Sequence, residues 1–150
     1  MNDLDKYYMK EAICQAKKAI KENEVPIGCV IVYKEKILAA NYNHKTIDNI
    51  ATSHAEILAI NEACKKLKTW YLNDCVLYVT VEPCLMCCGA IIQSRIKKIV
   101  YATKNEKFGY VESVNEIFQN KKNNHNVIIE KGPFEKESKE LLVNFFKQKR

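Results

Sequence analysis

His54-Ala55-Glu56 and Pro83-Cys84-Leu85-Met86-Cys87 put an imidazole, a carboxylate and two thiols into two short stretches of one 150-residue chain. Each stretch falls at the start of a predicted helix, so the groups meet only if two helices begin side by side. One His and two Cys form a zinc ligand set, and three protein ligands with one open position is the catalytic rather than the structural form of such a site. Water would take the fourth position. Helix N-termini favour thiolates, and zinc lowers the pKa of bound water to about 7, so a hydroxide nucleophile exists at neutral pH. Glu56, two residues beyond the imidazole, would reach the zinc-bound water rather than the metal and can carry its proton to a leaving amine.

Taken singly, the pieces say less. A lone histidine is more often a hydrogen-bonded structural residue, and a lone Cys-x-x-Cys is equally a redox pair or half of a structural zinc site. A structural site needs a fourth ligand, for which Cys88 is the nearest candidate, although its adjacency to Cys87 makes joint coordination awkward. Cys14, Cys29, Cys64 and Cys75 sit in core-like contexts. Read together, the two motifs favour a catalytic zinc held by His54, Cys84 and Cys87. Seven cysteines in all, three of them within positions 84–88, favour metal or catalytic thiols over a disulfide framework.

The elements that must position these groups follow from periodicity. Residues 3–22 carry Leu4, Tyr8, Ala12, Ala16 and Ala19 at helical spacing, and 26–33 with 36–42 form β-rich runs about a Lys34-Glu35 turn. Ser53 opens a helix with the capping pattern Ser53-His54-Ala55-Glu56, which puts His54 in its first turn. The nearly continuous apolar run 75–81 suits a buried strand, and Pro83 opens a helix through about residue 94. Beyond it the spacing predicts a strand over 97–102, a short helix over 112–119, a strand over 126–130 and a terminal helix over 134–148. Strands separated by helices tend to pair in parallel, so the order predicts a layered α/β sandwich formed by a single domain, 1–150.

Composition sets the outer limits. At 47% apolar and 28% charged, with four Gly and three Pro, the chain is neither disordered nor of low complexity. The longest apolar runs, 25–33 and 84–92, fall far short of the roughly 20 residues that span a bilayer. The first residues carry Asp3 and Asp5 where a secretory signal carries basic ones, so the expected address is the cytoplasm. A net charge of +6 makes an anionic partner such as RNA plausible. Only Arg95 and Arg150 of the 24 basic residues are arginine, however, and the lysine excess is partly compositional. In the terminal helix, Phe145, Phe146, Lys147 and Arg150 can stack on bases and meet phosphates, or can be the solvated end of an amphipathic helix.

His-x-Glu followed by Pro-Cys-x-x-Cys is the signature of zinc-dependent base deaminases. From about residue 24 onward the chain resembles the bacterial tRNA-specific adenosine deaminase family. The resemblance is carried by Glu24-Val25-Pro26-Ile27-Gly28, by Ser53-His54-Ala55-Glu56-Ile57, by the run from Leu77 through Cys87, by Gly89-Ala90 and by Ser94-Arg95-Ile96. Asn124-His125 and Phe145-Phe146-Lys147 extend it. It implies a three-layer α-β-α cytidine-deaminase-like fold with a mixed central sheet of about five strands. It also implies hydrolysis of the wobble adenosine of a tRNA anticodon to inosine, with the base everted into the pocket and ammonia released. In that picture one zinc ion sits on His54, Cys84 and Cys87, Glu56 handles protons, Asn43 hydrogen-bonds the purine, and a homodimer carries the anticodon stem-loop across both subunits.

The chain departs from the family's usual pattern at four places. His44 stands where Arg is common, Ile50-Ala51-Thr52-Ser53 where Asp-Pro-Thr-Ala is, Asn105 where Asp is, and Cys88 where Ala is. These changes touch the RNA-facing loops and leave the ligand set intact. Two other functions compete. A deaminase of free guanine or cytosine shares both motifs and draws local support from Trp70 and Asp74-Cys75. A non-catalytic zinc-stabilised RNA-binding module would leave Glu56 without a purpose.

Overall fold

The computed structural model describes residues 2–149. Along the chain run α1 (Asp3–Lys21), β1 (Gly28–Tyr33), β2 (Lys36–Tyr42), a four-residue helix α2 (Lys45–Asp48), α3 (Ala55–Leu67), β3 (Cys75–Val81), α4 (Leu85–Gln93), β4 (Lys98–Thr103), β5 (Ile128–Lys131) and α5 (Glu135–Gln148). The five strands form one sheet in the order β2-β1-β3-β4-β5. β1 pairs antiparallel with β2 and with β3, whereas β3–β4 and β4–β5 are parallel. The sheet is therefore mixed, with its change of sense between β1 and β3.

Period-two alternation sorts the side chains to the two faces. Cys29, Ile31, Leu77, Val79 and Ile99 pack with Ala55, Ala59, Ile60 and Ala63 of α3 and Cys88, Ile91 and Ile92 of α4. Val30, Val32, Tyr78, Val100 and Ala102 pack with Tyr8, Met9, Ala12 and Ile13 of α1, joined by Leu141 of α5. Helices thus cover both faces, which is why the central strands read as continuous apolar runs. The Lys34-Glu35 turn has φ of 51° and 63°, the left-handed pair that a two-residue hairpin demands, and the Tyr8 hydroxyl donates to the Glu35 carbonyl at 2.6 Å.

Three expectations need correction. No helix forms over 112–119; only a 3-10 turn, Ile117–Gln119, appears there. The N–H groups of Val111, Glu112 and Ser113 all donate to the Glu82 carboxylate, and Ser113, Val114 and Asn115 are weak helix formers, so the segment is held as a loop. The Ser53 capping box is also absent. His54 is the N-cap of α3, while the Ser53 backbone is taken by His44 N–H on its carbonyl and by its own bond to Ile50. Likewise α4 begins with Cys84 as N-cap rather than at Pro83. The short α2 carries no sequence signal of its own; the Glu24 carboxylate, 2% exposed, accepts the Thr46 and Ile47 N–H groups at 3.2 and 2.5 Å and holds it in place.

Close contact of α1 with the sheet depends on Gly28. A Cβ there would lie 1.9 Å from the Ala12 carbonyl oxygen and 2.5 Å from the Ala16 nitrogen, both backbone atoms that side-chain rotation cannot move. Gly28→Ala is expected to destabilise the fold by about 3 kcal/mol or more. Thermal unfolding should register this as a fall in Tm on the order of 10 °C.

Candidate active site

Two helices on the same face of the sheet present their N-termini to each other beyond the end of β3. His54 is the N-cap of α3 and Cys84 the N-cap of α4, and both have extended backbones, with φ/ψ of −78°/155° and −76°/174°. Neither side chain caps its own helix. They turn toward each other instead, with His54 Nδ1 at 3.6 Å from Cys84 Sγ and 3.5 Å from Cys87 Sγ. All three ligand atoms lie within 4.8 Å of one another. A tetrahedral zinc with Zn–S near 2.3 Å and Zn–N near 2.05 Å would set each N···S edge at about 3.6 Å. The donor set and its spacing therefore fit a metal ion without rearrangement. Cys87 is buried, and His54 and Cys84 are half-buried, so the cluster is closed from below and open on one side.

The electrostatics agree with the geometry. Hydrogen bonding from Cys87, opposed by burial and assisted by His54, draws the Cys84 thiol down to about 4. Cys87 is pushed the other way by its bond to Cys84 and by burial. His54 is raised, chiefly by its hydrogen bond with Cys84. Glu56, 4% exposed and in the first turn of α3, stands outside the ligand group, and burial pushes its carboxyl up to about 7. A carboxyl in that range can both take and give a proton near neutrality. Two positive helix ends and a buried carboxylate around a His-Cys-Cys cluster make an arrangement for activating water.

Cys88 is not part of it. Its Sγ faces the Pro83 carbonyl oxygen at 3.6 Å, and the residue is fully buried in the core between α4 and the sheet. Asn43 is the residue before His44, whose N–H donates to the Ser53 carbonyl and so ties the 43–44 strand exit to the residue before His54. Asn43 is 7% exposed, and its Oδ1 accepts the Lys45 N–H at 3.1 Å. Phe145, Phe146 and Lys147 are on α5, across the sheet from α3 and α4, and are not brought together with the cluster. Arg150 lies outside the described residues.

Two residues of the surroundings carried no assigned role in the sequence reading. Glu82, 2% exposed, receives the N–H groups of Asn105, Val111, Glu112 and Ser113 together with the Ser113 hydroxyl. Burial alone would raise its carboxyl, but these bonds, led by the Glu112 N–H, outweigh it and the net shift is downward. Glu24 likewise accepts two backbone N–H groups, those of Thr46 and Ile47 in α2. For Glu82 the signal was a carboxylate at the end of an almost wholly apolar strand with no Lys or Arg within ten residues, a placement that requires buried donors.

The whole of 2–150 matches the family model of the MafB19-like deaminases. The tRNA-specific adenosine deaminase of Bacillus subtilis is 42% identical over 146 residues, covering 97% of this chain and 91% of that one. That of Aquifex aeolicus is 44% identical over 144 residues, covering 96% and 95%. The chain belongs to the tRNA-specific adenosine deaminase family. Its structure superposes with a TM-score of 0.88, at 37% identity over 91% of this chain and 99% of the other, on one from a study of tRNA deaminases that edit A to I at the wobble position. This deaminase thus has the three-layer α/β architecture of that relative, with the His54-Cys84-Cys87 cluster as its one group of three such ligands among the described residues.

The ligand assignment separates two neighbouring thiols. Cys87→Ser should lose the bound metal, and Cys88→Ser should keep one ion per chain. Metal content by mass spectrometry of the purified variants decides it, and the reverse result would reassign the ligands.

Proposed function

We propose that this deaminase converts the wobble adenosine of a tRNA anticodon to inosine, using one zinc ion on His54, Cys84 and Cys87 and Glu56 as the proton carrier. The observation that carries the reading is the His54-Cys84-Cys87 triangle at two helix N-termini with a buried carboxyl beside it, in a chain whose relatives bear that name. When bound, the ion supplies a Lewis acid that makes water nucleophilic at neutral pH. Glu56 takes a proton from the attacking water and delivers it to the departing amine. Adenine C6 thereby exchanges its amino group for oxygen, and ammonia leaves. Asn43, its Oδ1 held by the Lys45 N–H, is assigned the purine contact.

The same reading makes 1–150 one catalytic unit that works as a cytoplasmic homodimer on the anticodon stem-loop. Net charge of +6 suits an RNA substrate. Exposed Ile47, Ile50, Leu85 and Phe108 belong to the segments around the cluster and suit contact with RNA or a second subunit. No helix among the described residues is long and apolar enough to cross a membrane. The rival reading, a free-base deaminase, drew on Trp70 and Asp74-Cys75. These residues lie at the start of β3, whereas the cluster lies beyond its end, roughly 20 Å away along the strand.

An anticodon stem-loop with adenosine at the wobble position, incubated with zinc-loaded protein, should yield inosine by nucleoside mass spectrometry. Glu56→Ala should slow this by roughly 10²- to 10⁴-fold. No inosine from folded, zinc-replete protein would overturn the tRNA reading, and guanine and cytosine would be tried next. Truncation after Asn144 tests the tail: the RNA Kd should rise about tenfold, as expected for the loss of one or two stacked bases, with zinc retained. An unchanged Kd would remove Phe145, Phe146 and Lys147 from the interface.

A further inference from the structure

Glu82 is the most heavily engaged buried group outside the proposed chemistry. Its Oε2 accepts the N–H groups of Val111, Glu112 and Ser113 at 3.0, 2.8 and 3.0 Å, and its Oε1 accepts Asn105 N–H at 3.0 Å and Ser113 Oγ at 2.5 Å. Three successive amides converging on one oxygen form an anion nest, here occupied by a side chain of the same molecule. No cation is paired with Glu82 among the described residues. The carboxylate is therefore balanced by four backbone N–H groups and one hydroxyl, all of them from the segment 105–113.

That segment is a wall of the site. Gly109 bridges Cys84 in antiparallel fashion, and the Tyr110 N–H donates to the Pro83 carbonyl at 2.9 Å. Gly109 also lies against the carboxylate, since a Cβ there would come within 2.3 Å of Glu82 Cδ. Glu82 itself is two residues before Cys84, and its N–H donates to the Thr103 carbonyl at the end of β4. One side chain thus joins the ligand-bearing turn to the loop that faces it.

We propose that Glu82 is a positioning residue of this deaminase, whose carboxylate fixes the 105–113 loop against the Cys84 turn so that the loop presents a rigid wall to the substrate. This rests on the deaminase reading above for its activity readout, and not for its structural one. All five groups on the carboxylate are donors. Gln in its place must turn an NH2 toward at least one N–H or O–H, so an amide of equal size cannot substitute, whereas an oxygen-only acceptor can. A residue needed only to fill space would not distinguish the two.

The test uses the full-length protein as Glu82→Gln, Glu82→Ala and Ser113→Ala. Hydrogen exchange should accelerate at 105 and 111–113 by about 10- to 100-fold in both Glu82 variants, the range of one lost buried hydrogen bond. Turnover of the stem-loop should fall on the order of 100-fold, mostly in kcat, while zinc content stays at one ion. Acetate added to Glu82→Ala should restore amide protection and part of kcat, and isosteric acetamide should restore neither. Ser113→Ala, which removes one donor of five, keeps the proposal testable if the Glu82 variants do not fold; it should show faster exchange at 111–113 and a severalfold loss of kcat. Parental protection and kcat in Glu82→Gln, equal rescue by acetamide, or an unaffected Ser113→Ala would overturn the assignment. If the unsubstituted protein makes no inosine, the deaminase reading fails first, and the exchange data still decide whether Glu82 holds the loop.

Discussion

Everything in the site depends on two helices whose first residues do not cap them. An N-cap side chain that fails to satisfy its helix costs about 1 kcal/mol. His54 and Cys84 both stand at that position, and neither makes the side-chain capping bond. Their extended backbones aim the side chains across the gap instead, and Cys87, three residues into α4, completes the triangle from the helix itself. The local rule is broken twice in the same place, as expected where function rather than stability sets the residue. The exposed amide ends then serve the site, since they favour the thiolate form and any anionic oxygen that approaches.

The irregular segments on either side are held by charge rather than by packing. Glu24 and Glu82 are each 2% exposed; Glu24 accepts backbone donors from the one-turn helix α2, and Glu82 accepts them from the 105–113 loop. A buried carboxylate bonded to several N–H groups is an acceptable charge, and it orders the donors more rigidly than apolar contact would. This explains how the surrounding loop residues can differ from those common in the family. Asn105 works in its turn through its Oδ1, which accepts the Phe108 N–H, an acceptor that Asp would equally supply. His44 packs against Tyr42 with ring centroids 4.3 Å apart and the rings tilted by 47°, and it lies 3.7 Å from Asp48, so its place is kept by contacts of its own.

The sheet, its two covering layers and the grouping of His54 with Cys84 and Cys87 were all legible because each has a period or a spacing. Alternation marked β1 and β2, the apolar run marked β3, and His-x-Glu with Cys-x-x-Cys named the cluster. What could not be read was any structure that a distant group imposes. Residues 112–119 have the apolar spacing of a helix in Val114, Ile117 and Phe118, yet their first donors belong to a carboxylate about thirty residues earlier. Ser53 fits a capping box in sequence, but its backbone closes the 44–53 loop and its side chain does not enter a helix. Asn43 was picked out only by the family resemblance, its type alone reading as a turn residue, and α2 exists because Glu24 reaches it from 22 residues away.

The mixed sense of the sheet explains why these distant segments meet. Register places Gly28 opposite Tyr42 on one side, and Cys29 opposite Val79 on the other, while Val81 faces Thr103. The Gly28 N–H donates to Thr80 Oγ1 at 3.1 Å across the same level. The entry to β1, the exit from β2, the exit from β3 and the exit from β4 therefore all lie at one end. Glu24, Asn43, Glu82 with Cys84, and Asn105 each stand just past that level. Were β1 parallel to β3, its entry and the exit of β2 would change ends, and the loop bearing Asn43 would sit with Asp74 at the opposite edge. The antiparallel pairing of β1 with β3 is thus the fold's contribution to the chemistry: it brings the 43–54 loop, with His54 at its close, to the end of the strand that delivers Cys84 and Cys87.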